Sequence, residues 1–235
     1  MPSLESSHAR EKKICRWLDS IKNDAAEIFL VGDIFDFWYE YKYTVPKGTV
    51  RLLGKIAEIR DSGIPVHFFT GNHDVWMKNY FVDELGVEVH HQPIERVFNG
   101  KRFYIGHGDG LGPGDRWYKV LKFIFTNKTC QWLFSRLHPN LAFYLARRSS
   151  RRSREITGDD DAVFLGAEKE WLFLFCRNYI KSTPTDFFIF GHRHLPLELD
   201  VDGKAKYVNL GDWFKYCTYA EYDGNQLHLK KFEEE

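Results

Sequence analysis

Paired cysteines are missing from this sequence. Its four thiols, Cys15, Cys130, Cys176 and Cys217, stand far apart and form none of the close spacings of a zinc site or a disulfide framework. They read as reduced thiols in a cytosolic protein. No apolar run reaches the roughly 18 residues that a membrane-spanning helix needs, and Met1-Pro2-Ser3-Leu4-Glu5 carries neither the basic nor the apolar region of a signal peptide. The chain therefore reads as soluble or peripheral. Net charge is absent too, since 33 basic residues balance 33 acidic ones, so no global field draws the chain onto nucleic acid. Internal repeats and low-complexity linkers are likewise lacking. Aromatic residues are plentiful instead: 20 Phe, 12 Tyr and 7 Trp make up 17% of the chain. That means a generous core or a surface that meets lipid, and composition does not separate the two. At 235 residues and 43% hydrophobic, the chain fits a single domain over residues 1–235 with a substantial core.

The chemistry is announced by a pattern that recurs. The apolar run Ile28-Phe29-Leu30-Val31 ends in Gly32-Asp33-Ile34-Phe35-Asp36-Phe37-Trp38, which reads as a buried strand presenting carboxylates at its carboxyl tip. Alone, such a pair is often only a turn with a helix cap. Val66-His67-Phe68-Phe69, however, leads into Thr70-Gly71-Asn72-His73-Asp74, and Arg102-Phe103-Tyr104-Ile105 into Gly106-His107-Gly108-Asp109. Phe187-Phe188-Ile189-Phe190 then leads into Gly191-His192-Arg193-His194. Four times an apolar strand ends in glycine followed by Asp, Asn or His, at the place where open α/β sheets keep their active sites. Oxygen and imidazole donors suit divalent metals such as Mn, Fe or Zn, and glycine lets the chain turn tightly enough to aim each side chain at a shared point.

This ordered set resembles the calcineurin-like metallophosphoesterases, whose pattern is Asp-x-His, Gly-Asp, Gly-Asn-His, Gly-His and Gly-His-x-His. Within them, Gly-Asp-x-Phe-Asp-Phe-Trp, an insertion after Gly-His-Gly-Asp and the closing Gly-His-Arg-His-Leu-Pro look like the UDP-2,3-diacylglucosamine pyrophosphohydrolases of lipid A synthesis. The resemblance implies an α/β fold, a metallophosphoesterase-type βαβ sandwich of mixed sheets flanked by helices, with a helical cap insertion over about 111–158. It implies two divalent metal ions, Mn2+ by preference, held about 3.5–4 Å apart, with Asp33 as the bridging carboxylate. Asn72, His107 and His192 would complete one ion's set, and His194 would serve the other. His73 would face the phosphate as proton donor to the leaving oxygen, with Asp36 holding its imidazole. Asp115, Ser150, Arg152 and Ser153 stand where the subfamily contacts substrate. The implied reaction is hydrolysis of UDP-2,3-diacylglucosamine to UMP and 2,3-diacylglucosamine 1-phosphate, at the cytoplasmic face of the inner membrane. Two other readings stand beside it, a metallophosphoesterase of another substrate class and an inactive binding scaffold.

One part of the pattern is absent. Asp-x-His should end a strand just before the helix expected over residues 5–22, yet His8, the only histidine upstream of Asp33, sits inside that helical pattern. A late chain start is the expected explanation, and loss of the motif is the alternative. Further helices are expected over 48–63, 75–85 and 161–181, with strands at 65–70, 87–91, 94–98 and 101–105 and closing antiparallel strands through Leu229. His90 and His91 read as ordinary strand residues. The insertion carries Arg147, Arg148, Arg151, Arg152 and Arg154 beside Trp117, Phe123, Phe125, Trp132, Phe134, Phe143 and Tyr144. This is either a solvated basic face or a surface for a diphosphate or an anionic membrane.

Overall fold

In the computed structural model, residues 4–112, 122–157 and 163–233 are described, without the side chains of residues 4–7, Arg147 and 151–157. The chain begins with α1 (Leu4–Ile21), β1 (Ile28–Val31), α2 (Val50–Asp61), β2 (Val66–Phe69), a single turn α3 (Tyr80–Asp83) and β3 (Glu88–His90). It continues through β4 (Ile94–Phe98), β5 (Lys101–Gly106), α4 (Lys128–Ser135), α5 (Pro139–Thr157), a 3-10 turn (Ala167–Lys169) and α6 (Trp171–Tyr179). The remaining elements are β6 (Phe187–Phe190), β7 (Pro196–Val201), β8 (Ala205–Leu210), β9 (Thr218–Tyr222) and β10 (Leu227–Lys231).

Strands β1, β2 and β3 form a parallel sheet, and β4-β5-β6-β8-β7 a mixed one whose three inner strands are parallel and whose two edges are antiparallel. The two-residue side-chain period of a strand explains the layering. In β1, Ile28 and Leu30 face α1 and α2, packing with Leu18, Ile56 and Phe68, while Val31 faces inward to Phe103, Ile105 and Ile189 of the second sheet. In β6 the inward residue is Ile189, and Phe188 and Phe190 turn outward to Leu172 and Cys176 of α6. The result is helix, sheet, sheet, helix, as expected. All four cysteines are free thiols, and no helix among the described residues is long and apolar enough to cross a membrane.

Two expected helices are shorter than their apolar patterns suggest. The pattern over 75–85 yields only α3, because the Glu40 carboxylate accepts the backbone N–H groups of Lys78, Asn79 and Tyr80 and so fixes the helix start there. The pattern over 161–181 yields α6 alone. Gly166 has φ near +100° and the backbone at Glu170 is extended, so an irregular segment and the 3-10 turn precede the helix.

The sheets are not continuous everywhere. Among the described residues, β1 pairs only with β2 and β9 only with β10. Between these two free edges lies an opening of about 690 Å3, lined by Trp17, Leu30, Ile105, Ile189, Leu210 and Tyr219 among others, and reaching Gly32 and Gly191.

Candidate active site

The four motif turns converge at the carboxyl ends of β1, β2, β5 and β6. Their glycines are required by close approach. A Cβ on Gly32 would stand 2.4 Å from His107 Nδ1, one on Gly71 2.3 Å from Asp33 Oδ1, and one on Gly191 2.8 Å from the Val31 carbonyl oxygen. Asp33 and His192 hold φ near +54° and +48°, a left-handed backbone that costs a non-glycine residue energy and clusters at functional sites.

Three donor atoms meet in the middle. His107 Nδ1–H donates to the Val31 carbonyl at 2.9 Å, which leaves the Nε2 lone pair pointing at Asn72 Oδ1, 3.1 Å away, and Asp33 Oδ2, 3.2 Å away. Asp33 Oδ1 accepts the His73 backbone N–H at 2.8 Å. Three electron-pair donors this close need a cation between them, either a proton on Nε2 or a metal ion. Burial disfavours a charged His107, but the Asp33 carboxylate overrides it and raises the imidazole to about 9. Burial also opposes the Asp33 charge, and the His107 and His73 imidazoles still hold that carboxyl well below the usual range. His192 packs edge-on to His107 with ring centroids 5.3 Å apart; burial, then the His107 charge, depresses it to about 4. An imidazole held neutral is in the form that ligates a metal.

His194 stands at the other end of the site. It is 30% exposed, and its Nδ1 lies 3.9 Å from Asp212 Oδ2. Asn209 fixes the turn that carries it, donating from Nδ2 to the Arg193 and Leu195 carbonyls at 2.6 and 2.8 Å.

Above these groups, Ser150 of α5 donates its hydroxyl to the Asp36 backbone carbonyl at 2.8 Å, and its Oγ lies 3.0 Å from His73 Nδ1. With that proton committed to the carbonyl, Oγ accepts from Nδ1–H and turns Nε2 of His73 away from α5. The Asp36 side chain is exposed. Asp115 lies outside the described residues, as do the side chains of Arg152 and Ser153. Helices α4 and α5 dock on the site's loops through aromatic rings: Phe134 meets Trp76 and Tyr39 at centroid distances of 4.6 and 4.8 Å, and Phe143 meets Phe37 at 6.1 Å. Tyr39 and Tyr41 donate their hydroxyls to the Gln131 and Leu137 carbonyls. Of the expected insertion aromatics, Phe125, Phe134 and Phe143 thus turn inward, whereas Phe123, Trp132 and Tyr144 are exposed. Trp117 lies outside the described residues.

Sequence reasoning passed over Asp74. Its buried carboxylate accepts from Gly71 N at 2.6 Å and Ile34 N at 3.1 Å, binding the first two motif turns together. Burial, reinforced by the Asp33 charge, raises it to about 7. Its place after Asn-His in the second motif was the available signal.

No protein-family model matches the chain. Individual proteins do: the UDP-2,3-diacylglucosamine hydrolase of Porphyromonas gingivalis is 37% identical over 236 residues, covering 95% of this chain and 90% of that protein. The chain belongs to the UDP-2,3-diacylglucosamine hydrolase family. More distant members of this family include the hydrolases of Proteus mirabilis, 26% identical over 92% of this chain and 90% of that one, and of Shewanella oneidensis, 24% identical over 92% and 87%. Among solved structures, wild-type Vps29 of Entamoeba histolytica complexed with Zn+2 aligns over 91% of this chain and 79% of that one at 13% identity, with a TM-score of 0.39, too slight a likeness to argue from.

Proposed function

We propose that this chain hydrolyses the pyrophosphate bond of UDP-2,3-diacylglucosamine, releasing UMP and 2,3-diacylglucosamine 1-phosphate in lipid A biosynthesis. The observation that carries the reading is the approach of Asn72 Oδ1 and Asp33 Oδ2 to His107 Nε2, at 3.1 and 3.2 Å, in a chain 37% identical to a hydrolase of that substrate. Three converging acceptor atoms fit a divalent cation. Asp33, Asn72, His107 and His192 would hold one such ion, and Asp33 and His194 would contribute to a second, Mn2+ being the preferred metal. Bound ions of this kind neutralise phosphoryl oxygens and lower the pKa of water, which a pyrophosphate otherwise repels as hydroxide.

The remaining work falls to the protein. His73, with Nδ1 held by Ser150, presents Nε2 toward the phosphate and delivers a proton to the leaving oxygen. Asp36 takes part through its backbone carbonyl, which orients the Ser150 hydroxyl, so the imidazole is positioned by a residue of α5 linked to Asp36. Asp115, Arg152 and Ser153 meet the sugar and diphosphate from the same insertion. Its outward aromatics, Phe123, Trp132 and Tyr144, with Leu133, Leu141 and Leu145, form the apolar side that receives acyl chains at the cytoplasmic face of the inner membrane. Release of UMP from UDP-2,3-diacylglucosamine, with and without Mn2+, tests the reading. Turnover that requires the ion and vanishes in Asp33→Ala is expected; no turnover at any metal concentration would overturn it for this chain.

A further inference from the structure

Away from these residues, the outer edge of the parallel sheet carries a second group of metal-binding side chains. His67 of β2 is paired directly with Glu88 of β3, and Phe69 with His90. Residues 88 and 90 are two apart on one strand, so both side chains rise from the face that His67 shares. Main-chain pairing thus brings two imidazoles and a carboxylate together. His67 Nδ1 lies 3.1 Å from His90 Nε2 and 3.3 Å from Glu88 Oε2, and His90 Nε2 lies 3.6 Å from Glu88 Oε1. Zinc bonds of about 2.0–2.2 Å in a tetrahedron set neighbouring ligand atoms about 3.3–3.6 Å apart. Two of the three observed separations, 3.3 and 3.6 Å, fall in that range, and the third, 3.1 Å, lies just short of it.

Two further features suit a metal rather than a simple hydrogen-bonded pair. Glu27 Oε2 stands 3.4 Å from His67 Nε2, the arrangement in which a carboxylate behind a ligating histidine fixes its tautomer and frees the other nitrogen. Aromatic contacts hold both rings: Phe29 stacks on His67 with centroids 4.6 Å apart and planes 12° from parallel, and Phe69 contacts His90 at 4.9 Å. His67 is buried, and Glu88 is the exposed member that an incoming ion would meet first.

We propose that His67, His90 and Glu88 form a zinc site, with Glu27 orienting His67 and the fourth position open to water. The ion clamps β3, an edge strand of three residues, to β2, the strand that runs on into Thr70-Gly71-Asn72-His73. The competing occupant is the Arg96 guanidinium, 3.9 Å from Glu88 Oε1, and zinc must displace it.

The test is Zn2+ stoichiometry by calorimetry and Zn2+-induced Tm shift on the full chain, on His67→Gln, on Glu88→Gln and on Glu27→Gln. His67→Gln should bind one equivalent fewer and lose the part of the Tm shift due to that ion. Glu88→Gln should weaken the same site by more than tenfold, and Glu27→Gln by about tenfold. Mn2+-dependent UMP release should be unchanged in all three. Should His67→Gln fail to fold, Glu88→Gln, altered at an exposed side chain, carries the same readout. Equal stoichiometry and equal affinity in the intact chain and in the folded variants would overturn the proposal. Because the readout is zinc bound, it stands or falls independently of whether the chain turns over the diacylglucosamine substrate.

Discussion

The two halves of the candidate active site are built differently. Asn72 Oδ1 and Asp33 Oδ2 lie 3.1 and 3.2 Å from His107 Nε2, and main-chain contacts from β1 and β2 tie the turns together. Around His194 the nearest carboxylate is 3.9 Å away and the imidazole is 30% exposed. The cause lies in the sheets beneath. The tight half stands on the tips of β1, β2 and β5, locked by Asp74, by the Val31 carbonyl and by glycines with no room for a side chain. The loose half borders the opening between β1 and β9, whose lining includes Gly191 and Gly211 on either side of the turn that carries His194. Site geometry here follows from how the two sheets pack: Asp33 and Asn72 come from the paired strands β1 and β2, and His107 reaches them from β5 of the other sheet, held by the Val31 carbonyl.

The largest effects are expected at the tight end. Asp33→Ala removes the group that both accepts the His73 N–H and faces His107, and turnover should fall by 10^3 or more, about 4 kcal/mol of transition-state stabilisation. His194→Ala should cost distinctly less in the same UMP-release assay. Equal losses would mean that the two halves do not differ in function. Gly71→Ala comes next. Its new Cβ would lie 2.3 Å from Asp33 Oδ1 and 2.7 Å from Asp33 N, so the Asp33 turn must move. A loss of about 10^2 in kcat is expected, since a displacement of about 1 Å costs roughly that much, and an unchanged kcat would show that the turn yields without consequence.

The opening beside β1 offers room for a further strand. A strand entering it ahead of α1 would make a parallel strand–helix–strand unit with β1, the connection whose right-handed form is nearly universal. Extending the chain before Leu4 by an alternating Val/Thr octapeptide and a short turn should therefore stabilise it relative to a Gly/Ser extension of equal length. Covering about 70 Å2 of the opening's apolar lining at about 25 cal/mol per Å2 is worth about 1.8 kcal/mol, or a Tm rise of about 4–7 °C for a chain of this length. Slower amide exchange at β1 and β9 should accompany it. Matching melting curves for the two extensions would show that the opening is not a strand acceptor.

Much of this organisation was legible in the sequence because it is local. Four apolar runs ending in Gly-Asp, Gly-Asn-His, Gly-His and Gly-His-x-His placed the strands, and the same glycines and polar residues fill the site. What stayed hidden depends on partners far apart in the chain. Glu40 decides where α3 begins from 38 residues away, and nothing near residue 78 signals it. His90 looked like an ordinary strand residue, and His67 stood inside the apolar run Val66–Phe69, because only the β2–β3 register, which periodicity does not give, makes them neighbours. The inward or outward turn of Phe134 and Trp132 likewise depends on how α4 meets Trp76 and Tyr39, a contact between segments more than 50 residues apart.

Ser150 is the smallest expected effect and the most discriminating, because it links α5 to the tight half across 77 residues. If its hydroxyl sets the direction of the His73 imidazole, Ser150→Ala leaves every strand-tip donor in place and misdirects only the proton donor. The expected loss is about tenfold in kcat, near 1.4 kcal/mol, since positioning residues behind a functional imidazole are typically worth 10–100-fold. Ser150→Thr, which keeps the hydroxyl, should restore part of the rate. A raised KM with kcat unchanged would instead make Ser150 a substrate contact. In that case His73 would be oriented from the strand tips alone, and the tight half would be complete without α5.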